Sequence, residues 1–407
     1  MSRTPAATAS GCFVLVALLR EAPWLTRRRL RDYSSLLIAV YVLAAIWFVA
    51  GPGMVDPTGR PVGADFLSFW TVSKAVHEGQ AAAVYEPERL AALEQAVNPG
   101  PPRFYAWAYP PSALLIVYPL AWLPYLAALA AWLALGLGLY LRVLWRILPR
   151  PLALWSGLAF PAVFICLSFG QNGLLTTALL GGALTLLTEA PLAAGVLIGV
   201  LTFKPQLGLL IPLALLAGGH WRAIAAAAVT AIALAALALL LFGADTGAAF
   251  LAQLPFARAM LETPFVPYFK MQSMFAAARL LGGGVTTAYV AQAFVTLAAG
   301  AVTVWAWRRP GAPDLRNAIL VTAGLLATPF VFAYDLTLLA LPIAWLARRD
   351  IDEGMRPWEG TALAAAFLLP FLAQGIAEFA HLATAPFVEG ALLSVLARRL
   401  ATTQSPT

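Results

Sequence analysis

Long apolar runs, separated by short polar or proline-containing segments, make up most of this chain. A helix needs about 20 apolar residues to cross a bilayer, and windows close to that length recur along the sequence. They predict about twelve transmembrane helices, several of them short, and hence an all-α polytopic membrane protein. The predicted spans are 33–50, 125–147, 152–168, 171–188, 191–203, 205–217, 221–242, 285–307, 317–334, 335–347, 358–375 and 380–397.

The spans form a single predicted transmembrane domain over residues 33–400, which also contains two long connecting loops, 51–124 and 243–284. Within the first loop, the apolar piece 110–123 is surrounded by prolines, and proline interrupts a straight helix. We therefore expect this piece to enter and leave the membrane on the same side.

Composition agrees with a membrane protein. Hydrophobic residues make up 61% of the 407 positions, charged residues only 11%, and the mean hydropathy is +0.81. Soluble globular domains carry about 25% charged residues, which excludes an ordinary soluble domain. The apolar runs are continuous, whereas the strands of a transmembrane β-barrel alternate between apolar and polar residues.

The net charge of +7 does not indicate a nucleic-acid partner, because most basic residues lie in short clusters between apolar runs. With the N-terminus inside, eighteen of the 26 Lys and Arg residues fall on the inner side and eight on the outer side, as the positive-inside rule requires. Residues 1–32 and 401–407 are then cytoplasmic, and both long loops are periplasmic. The first span is expected to act as an uncleaved signal anchor.

The cysteines and histidines do not suggest a metal site. Cys12 and Cys166 are far apart in apolar surroundings, and His77, His220 and His381 are dispersed. Neither set has the spacing of metal ligands, and the two cysteines give no persuasive disulfide. We expect no metal ion and no other cofactor.

The first loop contains an acid, Asp65, at the start of the helix-like stretch DFLSFWTVSKAVHEGQ. Because one face of this stretch is apolar, it is predicted to lie along the membrane surface. An Asp at a helix start is often an N-cap, and spacing alone favours that role over a catalytic one.

Polar residues also interrupt the apolar sequence at two further places on the predicted outer side. Tyr109 precedes two prolines in FYAWAYPP, where it can stiffen a turn or belong to an aromatic belt at the membrane interface. Gln171 and Asn172 separate two apolar runs. The Asn-Gly pair is typical of a tight turn, whereas two adjacent amides can bind sugar hydroxyls.

Charged residues within or beside apolar sequence are costly in a membrane unless they have a partner. Lys204, in LIGVLTFKPQLGLLIP, can extend to the interface or bind a phosphate, and both interpretations stay open. Tyr334 and Asp335 lie at the outer end of a span, where a hydrogen bond between helices is the usual role. Arg258 and Lys270 lie in the second loop, where solvated charge is the simplest interpretation.

The order of these segments resembles glycosyltransferase family 87 of the GT-C superfamily, a group of polyprenyl-phosphate-mannose-dependent mannosyltransferase-like membrane proteins. Each motif alone is weakly specific, but their combined order is moderately specific. The resemblance covers roughly residues 64–345 and rests on ADFLSFW, AVYEPERL, FYAWAYPPSALLIVYPLAWLP, LSFGQNGLLTTALLGGALTLL, AAGVLIGVLTFKPQLGLLIPLALL and TPFVFAYD.

The resemblance implies a GT-C-like bundle whose large first periplasmic loop carries amphipathic surface helices and borders the active site. Asp65 matches an acid that family members place near the catalytic centre, where it would act as general base. A polyprenyl monophosphate leaving group would need no divalent metal. Lys204 would face the lipid phosphate, with Lys270, Arg258 or Arg103 assisting.

The resemblance also implies that Gln171 and Asn172 line the sugar or acceptor pocket, and Tyr109 is a further candidate for substrate binding. The chain departs from the family where several relatives place a His near the end of the span reading FVFAYD. Here Tyr334 and Asp335 stand instead, and we include both among the candidate substrate-binding residues.

The leading hypothesis is an inverting, metal-independent hexosyltransferase of the bacterial inner membrane. It would transfer a sugar, with mannose as first choice, from a polyprenyl-phosphate donor to a lipid or glycan acceptor on the periplasmic side. The main alternative is a lipid or sugar transporter or flippase, although no convincing inverted repeat is present. A third interpretation is a non-catalytic subunit of envelope polysaccharide export.

Overall fold

The computed structural model describes residues 6–403 except 52, 54, 99, 100 and 102. Within this part of the chain the structure is helical and contains no β-strand, only two isolated bridges. The helices are α1 (Ala6–Glu21), α2 (Arg27–Phe48), α3 (Phe66–His77), α4 (Pro87–Val97), α5 (Ser112–Val117), α6 (Tyr125–Ile147), α7 (Pro151–Ala159), α8 (Pro161–Phe169), α9 (Gly173–Leu186), α10 (Pro191–Val200), α11 (Ile211–Ala217), α12 (Trp221–Phe242), α13 (Ala244–Glu262), α14 (Met274–Leu280), α15 (Val285–Trp307), α16 (Pro313–Ala327), α17 (Ala340–Glu353), α18 (Glu359–Ala380) and α19 (Ala385–Ala401). Short 3-10 helices occupy Ala83–Tyr85, Tyr118–Trp122, Leu201–Phe203, Pro205–Gly208, Tyr268–Lys270 and Asp335–Leu339.

The all-helical membrane architecture is confirmed, but the number of spans is not. Five of the described helices are long and apolar enough to cross a bilayer, namely α2, α6, α12, α15 and α18. The pair α7 and α8, bent by 54° at Phe160-Pro161, raises the number to six. The other predicted spans contain shorter helices, because prolines such as Pro205 break the apolar windows and α16 ends at Ala327.

Small residues bring two of the central helices together. A Cβ placed on Gly195 of α10 would lie 2.4 Å from the carbonyl oxygen of Ala223 on α12, and one on Gly199 would lie 2.5 Å from Cβ of Thr230. Glycines four residues apart on one helix face permit this close backbone approach, which gives dispersion contacts where no water drives association. This packing against α12 therefore fixes the position of α10, the helix that leads into the segment containing Lys204.

Helix α3 is not a surface helix, which corrects the sequence-based expectation. Nine of its twelve residues are buried, and mainly its C-terminal end, with Lys74 and His77, is exposed. Ser73 connects α3 to the 3-10 helix Tyr118–Trp122. Its hydroxyl donates to the Tyr118 carbonyl (2.8 Å) and accepts from the Ala121 amide (3.0 Å). The apolar face indicated the burial of one side only, whereas α4, α5 and the Tyr118–Trp122 turn cover α3 on several sides.

The predicted same-side entry of 110–123 is compatible with its structure. This piece folds as the six-residue helix α5 followed by the five-residue 3-10 helix Tyr118–Trp122. Neither is long enough to cross a bilayer. Whether the piece enters a membrane stays a prediction.

A buried ion cluster joins the ends of α17, α18 and α19 on the side predicted to be cytoplasmic. Arg399 is completely buried and donates to Glu359 (2.6 Å), Glu353 (3.0 Å) and Asp350 (3.2 Å). Because three carboxylates share one guanidinium, loss of Arg399 would leave buried charge unpaired. The cluster therefore stabilises the packing of α17, α18 and α19 at the end of the bundle that is predicted to be cytoplasmic.

Candidate active site

A connected set of polar side chains joins four parts of the chain that are distant in sequence. The Gln171 amide donates from Nε2 to Oδ2 of Asp65 (2.7 Å). The next residue, Asn172, accepts at Oδ1 from Nζ of Lys204 (2.9 Å), and Lys204 also donates to Oδ1 of Asp335. The structure thus brings Asp65, Gln171, Asn172, Lys204 and Asp335 together, as the sequence-based hypothesis required.

The turn between α8 and α9 places the two amides. Gly170 ends α8 with a positive φ of 66°, and a Cβ on it would lie 2.5 Å from Cβ of Phe66. Only glycine therefore lets the turn approach the start of α3, where Asp65 lies. The tight-turn interpretation is correct, but it does not exclude a second role, because both amide side chains are hydrogen-bonded within the polar network.

Asp65 occupies the N-cap position of α3 but makes no side-chain capping bond. The N-cap interpretation is therefore wrong, and its carboxylate is free to accept from Gln171 instead. Surrounding protein raises the pKa of Asp65 to about 6, while the hydrogen bond from Gln171 and the charges of Lys270 and Lys204 oppose that rise. The residue as a whole keeps part of its surface exposed. A half-buried carboxylate of this kind is able to accept a proton near neutral pH.

Lys204 lies in the break between two 3-10 helices, Leu201–Phe203 and Pro205–Gly208. It is only 2% exposed, so the interpretation in which it extends to the membrane interface is wrong. Its ammonium lies 5.0 Å from the centre of the Tyr334 ring, a distance suited to a cation–π contact. Asp335, which is 1% exposed, balances its charge and also accepts from the Phe332 amide (3.0 Å).

The aromatic segment 104–109 forms a wall of the site. The Tyr109 hydroxyl accepts from Nδ2 of Asn172 (2.9 Å), so this tyrosine belongs to the same network. Trp107 is buried beside it, with ring centres 4.8 Å apart, and Phe69 of α3 packs edge-on against both rings. The segment therefore packs inside the protein rather than forming only a belt at the interface.

The remaining candidate cations are less closely connected. Lys270 is exposed, and its charge acts on Asp65. Arg103 is also exposed and acts on Tyr105. Arg258 instead pairs with Glu262 (2.7 Å) on the exposed side of α13, which leaves it outside the hydrogen-bonded network.

Space at the network is narrow. A crevice between α6 and α9 reaches the two amides, with room for about one water molecule. A sugar donor would not fit this crevice unless α6 and α9 moved apart. The residues along the crevice are Trp132, Leu133, Leu135, Gly136, Gln171, Asn172, Leu174 and Leu175.

Sequence reasoning missed one acid beside the site. Glu94 of α4 is completely buried and accepts at Oε2 from the Tyr105 amide (2.9 Å). Its sequence signal is its position four residues after Leu90, on the buried face of α4. A glutamate is rarely fully buried in an apolar helical stripe unless it is paired.

No group of three or more His, Cys, Asp or Glu residues in the described part of the chain could hold a metal ion. Comparison with protein families decides the broader identity. A model of glycosyltransferase family 87 matches residues 107–329, more than half of the chain. The chain belongs to glycosyltransferase family 87.

The family 87 match includes Tyr109, both turn amides, Lys204 and Lys270, whereas Asp65 and Asp335 lie outside the matched range. The resemblance suspected from the motifs is therefore confirmed, and the protein is a glycosyltransferase with a sugar donor and an acceptor. Searches of curated proteins and of solved structures each found no significant match.

Proposed function

We propose that this family 87 glycosyltransferase transfers a hexose, with mannose as first choice, from a polyprenyl-phosphate donor to a lipid or glycan acceptor. The transfer would take place on the periplasmic side of the bacterial inner membrane, with inversion and without a metal. The observation that supports it most is the polar network itself: a carboxylate, two amides and a lysine connected at one site within an apolar bundle. Polar groups are retained inside a membrane protein mainly where they serve function.

Asp65 would act as general base. Its carboxylate would remove the proton from an acceptor hydroxyl as that oxygen attacks the anomeric carbon of the sugar. The bond from this carbon to the phosphate oxygen would break, and polyprenyl phosphate would leave with the bonding electrons. Gln171 would hold the carboxylate through its 2.7 Å hydrogen bond, and the raised pKa of about 6 suits proton transfer near neutral pH.

Two lysines would meet the charge of the lipid phosphate. Lys270 is exposed, acts on Asp65 and takes part in no ion pair among the described residues. Lys204 brings a second positive charge, but its ammonium already donates hydrogen bonds to Asn172 and Asp335. We infer that Lys270 makes the first phosphate contact, and that Lys204 orients Asn172 and shifts toward the donor when the site opens.

Radiolabelled polyprenyl-phosphate hexoses, incubated with the purified protein and a membrane extract, test this proposal. Chromatography of the lipids should show label moving from the donor to a second lipid or glycan, and NMR of the product should show the inverted anomer. Label that stays on the donor with every hexose would contradict the proposal. Transport of the donor across reconstituted vesicles without transfer would instead support the flippase alternative.

Lys270→Ala is expected to raise the apparent KM for the donor about tenfold and to change kcat little. A lost charge-assisted contact to phosphate is worth about 1.4 kcal/mol or more, and that energy corresponds to a factor of ten in affinity. Steady-state kinetics with varied donor measure the effect. The matched control is Lys74→Ala, since Lys74 in the last turn of α3 is also an exposed lysine but lies near Glu78 (4.0 Å). Equal donor KM values for the two variants would exclude the phosphate role of Lys270.

A further inference from the structure

Glu94 is the most unusual buried acid near the site. It is 0% exposed, and one of its two carboxyl oxygens, Oε2, accepts from the Tyr105 amide (2.9 Å). The other, Oε1, is buried without a well-formed hydrogen bond, and the same is true of the hydroxyl of Ser68. Ser68 lies one helical turn after Asp65 on α3, and its hydroxyl interacts weakly with Glu94.

A proton on Glu94 would account for both unpaired atoms. A neutral carboxyl carries one O–H donor, and a serine hydroxyl is able to accept from it. A buried carboxylate, in contrast, is costly without a cation, and no ion pair among the described residues involves Glu94. The contacts therefore favour the neutral form.

The charged and titratable groups around Glu94 agree with this assignment. From α3 it faces the negative charge of Asp65, which disfavours a second negative charge. Tyr105 contacts it from the aromatic segment, and the positive charges of Arg103 and Arg60 also act on this tyrosine. Burial raises the pKa of Glu94 to about 8, and the contacts of its carboxyl with the Tyr105 amide and the Ser68 hydroxyl only partly oppose that rise.

We propose that Glu94 is a positioning residue of the active site that acts as a neutral carboxylic acid and inactivates the enzyme when it ionises. Its two oxygens connect α3, one turn from Asp65, with the segment that ends at Tyr109. Ionisation would place a second negative charge beside Asp65 and beside an anionic donor. The proposal rests on the proposed function in that it assigns Asp65 as the base.

Two groups would then set the pH dependence of transfer. Asp65 must lose its proton, so activity should rise as pH increases through about 6. Glu94 must keep its proton, so activity should fall as pH increases through about 8. The expected profile of transfer rate against pH is bell-shaped.

Glu94→Gln tests the proposal because Gln is neutral, similar in shape and able to donate to Ser68. We expect it to keep at least about half of the wild-type rate at pH 7 and to lose the alkaline decline, since general acid–base profiles follow the ionisation of the groups involved. Glu94→Ala should lose activity by about tenfold or more because both contacts disappear. The matched control is Glu88→Gln on the exposed face of α4. Its profile of transfer rate against pH should keep both the acidic and the alkaline decline. An unchanged alkaline limb in Glu94→Gln, or a rate as low as that of the Ala variant, would overturn the proposal.

Thermal stability gives a second measurement that does not depend on transfer. Because the folded-state pKa of Glu94 lies above the ordinary value of 4.5, its stabilising effect is complete below that value and is lost as pH rises toward about 8. Between pH 6 and 8 the Tm of the wild type should therefore fall relative to that of Glu94→Gln. Burial also raises the pKa of Asp350 to about 8. Because both proteins contain Asp350, its effect on Tm cancels when the two are compared.

The two measurements separate the two proposals. If the wild type transfers no sugar at any pH, the proposed function fails, and the Tm comparison still decides whether Glu94 is protonated. If transfer occurs and the Tm difference stays constant from pH 6 to 8, the neutral Glu94 is wrong while the proposed function stands.

Discussion

Asp65→Asn is expected to lower the rate of sugar transfer by about 100- to 10,000-fold, the usual contribution of a general base. The amide has no proton-accepting oxygen of suitable basicity, so it cannot activate the acceptor hydroxyl. It can still accept at Oδ1 from Gln171, and the local structure should persist. Initial rates at saturating donor, with membrane insertion checked for each variant, measure the effect.

The same substitution should leave the protein as stable as the wild type, or more stable, at pH 7. Asp65 has a folded-state pKa above its ordinary value of 3.8, so its stabilising contribution is lost as pH rises from that value to about 6. At neutral pH the ionised carboxylate is thus a cost to the fold, as expected of a group retained for chemistry. A clear loss of Tm in Asp65→Asn would indicate a structural role.

The control for Asp65 is Glu78→Gln, because Glu78 is an exposed acid at the other end of α3. It should transfer sugar at the wild-type rate. Full activity in Asp65→Asn would contradict the assignment of the base, and equal losses in the two variants would point to a general effect on α3.

Sequence reasoning placed the helical segments well, since apolar length and proline are local signals that the sequence contains directly. The twelve predicted spans are not confirmed, since apolar windows such as 317–334 continue past the end of α16 at Ala327. Residues 328–334 are not helical and bring Tyr334, and Asp335 at the start of the next 3-10 helix, to the site. Apolar composition does not distinguish a helix that crosses lipid from a short one buried among its neighbours.

The sequence predicted which residues gather at the site, but not which of them contact one another. The positive-inside rule gathered Asp65, Gln171, Asn172, Lys204 and Asp335 on one side, and the structure joins all five. Which of them pair depends on tertiary packing, because Lys204 and Asp335 are 131 positions apart in sequence. At Asp65 and Lys204, burial also replaces the interaction that the local sequence suggests.

At Asp65, the capping rule failed because Gln171 offers the carboxylate a donor from the turn between α8 and α9. At Lys204, extension to the interface, one of the two open interpretations, is wrong because Asp335 supplies a buried partner. In both cases a residue distant in the chain replaced the local interaction that sequence reasoning considers.

Lys204→Met is expected to destabilise the protein by about 3–5 kcal/mol, because it leaves Asp335 buried without its cation. It should also raise the donor KM, because Asn172 loses the ammonium that orients it. The double variant Lys204→Met/Asp335→Leu removes both charges and should recover most of the lost stability. It should not recover donor affinity, since Asn172 has then lost the donor that orients it. Tm in detergent and donor KM, measured on the single and double variants, separate the two effects.

The control is the ion pair of Arg349 with Asp314 (2.6 Å), which lies on the predicted cytoplasmic side and is partly buried, whereas the pair of Lys204 with Asp335 is fully buried. Its double variant, Arg349→Met/Asp314→Asn, should leave donor KM unchanged whatever it does to Tm. If Lys204→Met/Asp335→Leu likewise keeps the wild-type donor KM, the lysine has a structural role alone. Its place among the substrate-binding residues would then be lost, and Lys270 would remain as the cation for the lipid phosphate.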